Sequence, residues 1–182
     1  MKINKVAKVN IGKFLALILR HKPETINISL DSNGWANVNE LIEKINLHYG
    51  KDVVSLSDIE DIVALDDKNR YELANGSIRA RQGHSVLVDL SLEAKQPPEK
   101  LYHGTVGKFI GSIRAFGLLK GSRQYVHLSE DIDTAIIVGG RRGEPIILVI
   151  DSGRMHGDGI EFYISSNGVW LTDHVPSQYI SF

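Results

Sequence analysis

The decapeptide SLEAKQPPEK (91–100) constrains this chain more than any other stretch. It is mostly polar, and its Pro97-Pro98 pair refuses helix and favours a semi-extended path. The sequence reads differently on its two sides. Before it, apolar residues recur at helical spacing; after it, the chain is glycine-rich and broken into short β-like runs. With 182 residues the chain is long enough for one large domain or two small ones. The boundary is therefore placed here, with one lobe over 1–90, a linker over 91–98 and a second lobe over 99–182.

In the first lobe, Ile11, Phe14, Leu15, Ile18 and Leu19 share one helical face, and Pro23 stops that helix by disfavouring helix at Lys22. DSNGW (31–35) is a turn. VNELIEKI (38–45) predicts a second helix through Leu41, Ile42 and Ile45. A capping box of Ser57 with Glu60 predicts a third, ahead of Ile62 and Val63. RYEL (70–73) and SIRA (77–80) predict two strands joined by Asn75-Gly76. Two or three helices followed by a strand pair is the order of a winged helix. In the second lobe KLYHGT, YVHLS, PIILVID, IEFYIS and GVWLT predict short strands. Ile110–Phe116 and Asp133–Val138 are candidate short helices between them. The expected fold class is α+β, with a small β-rich second lobe.

Composition removes several classes of function. Without cysteine there are no disulfides, thiolate nucleophiles or Cys-ligated zinc sites. No histidine pair has the spacing of a zincin, so no metal is expected. The apolar runs FLALIL and IILVI are too short to cross a bilayer, and no cleavable leader pattern is seen, so a cytoplasmic protein without a membrane partner is expected. A formal net charge of −1 argues against a general polyanion coat. The arginines, several paired or beside glycine, point instead to specific anion recognition.

Five segments are candidates for chemistry. LRHKP (19–23) ends the first helix in Arg20 and His21; these cations either complement the helix dipole or form part of a phosphate clamp. Arg70 in DDKNRYEL is either an exposed residue at a turn or a second anion ligand. IRARQGHS (78–85) places Gln82, Gly83, His84 and Ser85 in succession, either as a β-turn or as a binding loop. YHGT (102–105) reads as a strand end whose His103 and backbone amides can meet a ribose or an amide. SRQYVHLS (122–129) carries Arg123 and His127, and GGRRG (139–143) is either an anion-binding nest or an exposed hairpin loop. Trp170 reads as core.

Taken in order, LRHKP, NGW, DDKNRYEL, IRARQGHS, LYHGT, SRQYVHLS, GGRRG and EFYISSNGVWLT strongly resemble the KptA family, the NAD-dependent RNA 2′-phosphotransferases. The resemblance covers nearly the whole chain. It implies a winged-helix N-terminal lobe, an ADP-ribosyltransferase-like C-terminal lobe and a site in the cleft between them. The family's essential set carries over onto Arg20, His21, Arg70 and Arg123. Its ADP-ribosyltransferase signature positions fall on His103, His127 and Val169, the last where many ADP-ribosyltransferases carry a glutamate. Arg81 stands where asparagine is common, and GGRRG varies on GQRHG, so the resemblance gives Arg81 and Arg142 no role.

The reaction implied by the resemblance has two steps. An internal RNA 2′-phosphate attacks the nicotinamide ribose of NAD+, and the ribose 2″-hydroxyl then attacks the phosphorus. The products are RNA with a plain 2′-hydroxyl, nicotinamide and ADP-ribose 1″,2″-cyclic phosphate. Arg20, Arg70 and Arg123 would hold the phosphate and His21 would move protons. His103, Gly104, Thr105, His127 and Arg141 would bind NAD+, with Gln82 and His84 on the RNA side. The expected partner is RNA with an internal 2′-phosphate, tRNA-like, and the expected state is monomeric. The competing readings are a mono-ADP-ribosyltransferase that modifies phosphate ends, and a winged-helix regulator that only binds nucleic acid.

Overall fold

The computed structural model describes residues 5–182, and its first helix, α1 (Lys5–Arg20), ends three residues before Pro23. Pro23 then opens a 3-10 turn, Pro23–Ile26. Leu15, Ile18 and Leu19 are fully buried, so the spacing read from the sequence marks the core-facing side. The chain divides into two compact units, the first ending at Ser91 and the second running Leu92–Phe182. Each has its own core.

In the first unit, strand β1 (Ala36–Asn37) leads into α2 (Val38–Tyr49). The Asn37 side chain caps that helix by accepting from the amides of Asn39 and Glu40, each at 3.0 Å. Helix α3 (Leu56–Ala64) starts earlier than the Ser57–Glu60 frame requires. Its capping box is Ser55 with Asp58: the Asp58 amide donates to Ser55 Oγ and the Ser55 amide donates to Asp58 Oδ2. Strands β2 (Tyr71–Ala74) and β3 (Ser77–Ala80) form a hairpin. Its turn residues Asn75 and Gly76 have φ of 50° and 73°, the pair of positive values a two-residue type I′ turn needs. The sheet order is β1-β3-β2, antiparallel throughout. Ile78 of β3 packs in one cluster with Leu15 and Ile18, Leu41 and Ile45, and Ile59 from the three helices. The buried Tyr71 ties sheet to helix by donating its hydroxyl to the Gly12 carbonyl at 2.6 Å.

The second unit begins with β4 (Leu101–Val106), α4 (Gly107–Phe116), β5 (Leu118–Leu119), β6 (Val126–Leu128) and α5 (Ile132–Gly139). It continues with β7 (Pro145–Ile150), α6 (Ser152–Gly157), β8 (Tyr163–Ile164), β9 (Trp170–Thr172), β10 (His174–Val175) and β11 (Ile180–Ser181). These make small antiparallel sheets ordered β11-β7-β4, β6-β9-β8 and β10-β5. Trp170 is buried in the core, as its pattern indicates. The chain is thus α+β.

Two expectations are corrected here. Only Tyr163–Ile164 of the IEFYIS run is strand. YHGT is not a strand end: β4 pairs with β7 along its whole length, from Leu101 opposite Ile150 to Val106 opposite Pro145. Gly104 sits inside the strand because α5 crosses close to it. A Cβ at Gly104 would lie 1.9 Å from the Ala135 carbonyl oxygen and 2.8 Å from the Gly139 nitrogen.

Candidate functional site

In the first unit, the end of α1 is gripped by the segment that follows β3. The Arg20 carbonyl, left without an intrahelical partner at the helix end, accepts from the amides of Ser85 (2.8 Å) and Val86 (3.2 Å). His21 Nδ1 lies 2.9 Å from Ser85 Oγ. Gly83, with φ of 89°, runs flat beside the Arg20 side chain; a Cβ there would sit 3.5 Å from Nη1 and would demand a left-handed backbone from an L residue. Arg20 and His21 are both half-buried, and the same short loop holds them.

Arg70 enters β2 beside this loop, because its carbonyl accepts the Arg81 amide at 2.9 Å. The Asp66 carboxylate takes one edge of its guanidinium, with Nε donating at 2.9 Å and Nη2 donating to the same oxygen. Burial raises the Asp66 carboxyl, but hydrogen bonds and charge from Arg70 outweigh it and hold the carboxyl below its usual range. The side chain of Asp66 is 2 % exposed and that of Arg70 36 %, so a buried acid steadies an outward-facing guanidinium. Arg81 is tied back instead: Nε donates to the Tyr71 carbonyl at 3.0 Å and Nη1 lies 3.8 Å from Glu72. Arg79 pairs with Glu72 at 3.0 Å and stacks 4.5 Å over Trp35.

Between these groups lies His84, 1 % exposed, with neither ring nitrogen hydrogen-bonded. Burial first, then the charges of Arg20, His21 and Arg79, push its pKa down to about 4. The folded state therefore holds this imidazole neutral while the unfolded chain protonates it near its ordinary 6.5. The unfolded state binds the extra proton below that value, so stability falls as the pH drops from 6.5 toward 4, by about 3 kcal/mol at most. We expect thermal melts of His84→Leu to show a flatter loss over that window than the natural protein. Equal slopes would refute the assignment.

The second unit contains a cavity of about 350 Å³. His103, Gly104 and Thr105 of β4, Arg123, and Arg141 and Arg142 after α5 line it, with Phe109, Ile113 and Leu118 as apolar wall. GGRRG is not a hairpin loop: Gly140–Arg142 continues α5 as one 3-10 turn, and that carries both arginines to the cavity. His103 Nδ1 donates to the His127 carbonyl at 2.9 Å, which leaves Nε2 as the lone-pair nitrogen of the neutral ring. Burial lowers the pKa of His103, the bond to His127 opposes this, and Arg123 and Arg142 add to the lowering. Arg123 Nη1 donates to His127 Nδ1 at 2.7 Å. Loss of solvent, then Arg142 and Arg141, lower the pKa of Arg123 in turn. Tyr102 exchanges backbone bonds with Ser129 on the edge of β4 away from β7, and strand alternation turns the Gly104 amide and carbonyl to that same edge. Val169 lies in the tight turn before β9, where its amide donates to Ser165 Oγ.

The structure thus gathers Arg20, His21, Arg70 and His84 in the first unit and His103, Gly104, Thr105, Arg123, His127 and Arg141 in the second. Gln82 is half-buried in the loop between Arg81 and Gly83. Sequence reasoning misses Asp66 and Ser85 as partners of Arg70 and His21. The D-x-x-x-R spacing of Asp66 and Arg70 is the available signal. Among the described residues, no carboxylate lines the cavity and no cluster of three or more histidines or acids could hold a metal ion. Nor, among them, is any helix long and apolar enough to cross a membrane.

In the cavity, guanidiniums and the His103 imidazole stand without a carboxylate among the described lining residues, an arrangement that complements an anionic group, in a protein of α+β class. Residues 6–174 match the model of a family described as RNA 2′-phosphotransferase, Tpt1 / KptA family. A protein of Flavobacterium johnsoniae named "Probable RNA 2′-phosphotransferase" is 54% identical over 175 residues, covering 95% of each chain. Proteins of the same name are 49% identical in Acaryochloris marina, covering 93% of each chain, and 44% identical in Streptomyces coelicolor, covering 96% of this chain and 94% of that one. The chain belongs to the RNA 2′-phosphotransferase family, a family of transferases.

Proposed function

We propose that this protein removes an internal 2′-phosphate from RNA by transferring it to NAD+, through a 2′-phospho-ADP-ribosylated RNA. The products are RNA with a 2′-hydroxyl, nicotinamide and ADP-ribose 1″,2″-cyclic phosphate. The observation that carries this reading is the arginine- and histidine-lined cavity, without a carboxylate among its described lining residues, in a member of this family. On this reading the first unit, domain 1–90, is a winged-helix lobe, and 99–182 is an ADP-ribosyltransferase-like lobe. The helix–strand–helix–helix–hairpin order of the first unit supports its half of that reading.

The cavity fits NAD+ by its chemistry. Its volume lies within the usual range for small-molecule sites. Arg141 and Arg142 complement a pyrophosphate, the lone-pair nitrogen of His103 complements a ribose hydroxyl, and Phe109 and Ile113 offer an apolar wall. When bound, NAD+ supplies an electrophilic ribose carbon whose leaving group departs as neutral nicotinamide. The attacking phosphate is already an anion, so no carboxylate base is needed, and valine at 169 is compatible with that. Arg20 and Arg70 hold the RNA phosphate. Arg123 stabilises the charge that gathers on the phosphoryl oxygens in the second step. His21 takes the proton of the attacking ribose hydroxyl and returns it to the RNA 2′-oxygen as the P–O bond breaks. Gln82 and His84 sit on the RNA side; the protein acts as a cytoplasmic monomer without a metal.

Incubation with NAD+ and an RNA bearing one internal 2′-phosphate tests this. Release of nicotinamide with conversion to 2′-hydroxyl RNA is expected. A stable ADP-ribosylated adduct would instead make the protein a mono-ADP-ribosyltransferase, and no consumption of NAD+ would leave a nucleic-acid-binding regulator.

A further inference from the structure

We propose that His127 is a positioning residue, one that holds the Arg123 guanidinium in place through the lone pair of its Nδ1. Arg123 Nη1 lies 2.7 Å from that nitrogen. A guanidinium only donates, so Nδ1 accepts, and the ring is neutral with its proton on Nε2. That direction follows from the donor alone, whatever else the ring meets. His127 is the fixed end of the pair. It sits in β6 opposite Leu171 of β9, and Ser129, just past β6, exchanges backbone bonds at 2.8 Å with Tyr102 of β4. Arg123 is the adjustable end: it is exposed, on a turn in which its amide donates to the Lys120 carbonyl at 3.2 Å. A long side chain leaving such a turn has many rotamers, and the bond to a strand residue selects among them.

The chemistry of the acceptor matters as much as its place. Arg70 is held by a carboxylate that offsets its charge, whereas Arg123 is held by a neutral ring, near the cations Arg141 and Arg142. Its full charge therefore remains available to an anion, and Nη1 gives up one donor while the rest of the fork is left. His127 is not among the described residues that line the cavity. It reaches the cavity through two that do, Arg123 by its side chain and His103 by its backbone carbonyl, at 2.9 Å. A substitution at 127 thus removes the hold on Arg123 and keeps the hold on His103. The consequence for catalysis rests on the proposed function; the hydrogen bond does not.

Long-range 1H–15N NMR of the whole protein at alkaline pH, with His127 assigned through a His127→Asn spectrum, tests the bond. Expected are a pyridine-type Nδ1 and a pyrrole-type Nε2, with Arg123→Ala moving the Nδ1 resonance downfield as its donor is lost. A protonated Nδ1, or an Nδ1 resonance unmoved in Arg123→Ala, overturns the proposal. Kinetics with NAD+ and 2′-phospho-RNA test the role. His127→Phe should lower formation of 2′-hydroxyl RNA by about 10- to 100-fold with KM for NAD+ unchanged, and the ADP-ribosylated adduct should accumulate. In an Arg123→Ala background the same change should add nothing. His127→Asn, whose Oδ1 takes the place of Nδ1, should recover most of the rate. A raised KM for NAD+ at unchanged kcat, or single losses that multiply in the double variant, would overturn the positioning role. Absence of phosphotransfer by the natural protein would sink the proposed function alone, since the spectra stand by themselves.

Discussion

Gly104→Ala will lower the melting temperature by about 10 °C or more, corresponding to about 3 kcal/mol. The reason is the close approach of α5 to β4. The new methyl would lie 1.9 Å from the Ala135 carbonyl oxygen and 2.8 Å from the Gly139 nitrogen. Both are backbone atoms, so no side-chain rotation can relieve the overlap and α5 must lift away. The contact is mutual, because a Cβ on Gly139 would lie 3.0 Å from the Gly104 backbone. Lifting α5 also displaces the 3-10 turn that carries Arg141 and Arg142, so the cavity would lose its cations along with the fold. Gly140→Ala is the control. A Cβ there meets nothing within 4 Å, its φ of −59° suits any residue, and its melt should be unchanged or slightly higher. Thermal unfolding of the three proteins checks this, and a Gly104→Ala melt equal to the natural one would show that β4 and α5 do not pack this closely.

Gly104 also shows where sequence reading loses its grip. A glycine between a histidine and a threonine reads as a strand end, and the strand in fact runs through it. The cause is a helix about thirty residues further on, which no local pattern records. The third helix shows a subtler limit. SLSD and SDIE both satisfy the capping pattern, and the helix uses the first. In that frame the residue before the cap, Val54, is buried together with Ile59 on the first turn, which makes the hydrophobic staple. In the other frame that residue is Leu56, which is 45% exposed. Burial therefore chose the frame. The Asn75-Gly76 hairpin, by contrast, is fully legible, because that pair adopts two successive positive φ values at little cost. Pairs as short as Leu118–Leu119 with His174–Val175 leave no periodic trace to read.

The same division holds for the candidate site. Arginines and histidines near glycine announce anion chemistry by type, and their order carries the family resemblance. Their supports do not announce themselves. Asp66 behind Arg70 and Ser85 behind His21 are ordinary turn residues by sequence, and they acquire meaning only when the chain folds them onto a neighbour. Arg20 and His21 read as a solvated helix end, and they are a helix end. The grip of Gly83–Val86 on that end is a tertiary contact, invisible to local pattern.

Arg123→Ala should reduce RNA dephosphorylation by about 10² to 10³, the loss typical of removing one donor to a developing oxyanion, and ADP-ribosylated RNA should accumulate in its place. Two physical effects combine here. The first is charge: under the proposed chemistry the second step concentrates negative charge on the phosphoryl oxygens, and a guanidinium meets it with two parallel donors. The second is alignment. Arg123 Nη1 donates to His127 Nδ1 at 2.7 Å, and the His127 carbonyl receives His103 Nδ1 at 2.9 Å. Arg123 thus orients the His127 ring, while the backbone carbonyl of the same residue holds the His103 imidazole of the cavity. Arg123→Lys separates the two. An ammonium restores the charge but cannot bond His127 and present a two-pronged face at once, so it should recover only part of the rate. Gel analysis of the RNA after reaction with NAD+ distinguishes adduct from product. Because the first step asks only that an existing anion displace a neutral leaving group, it should survive in both variants. An Arg123→Ala protein that turns over at the natural rate would remove Arg123 from the chemistry and leave it as a tether for His127.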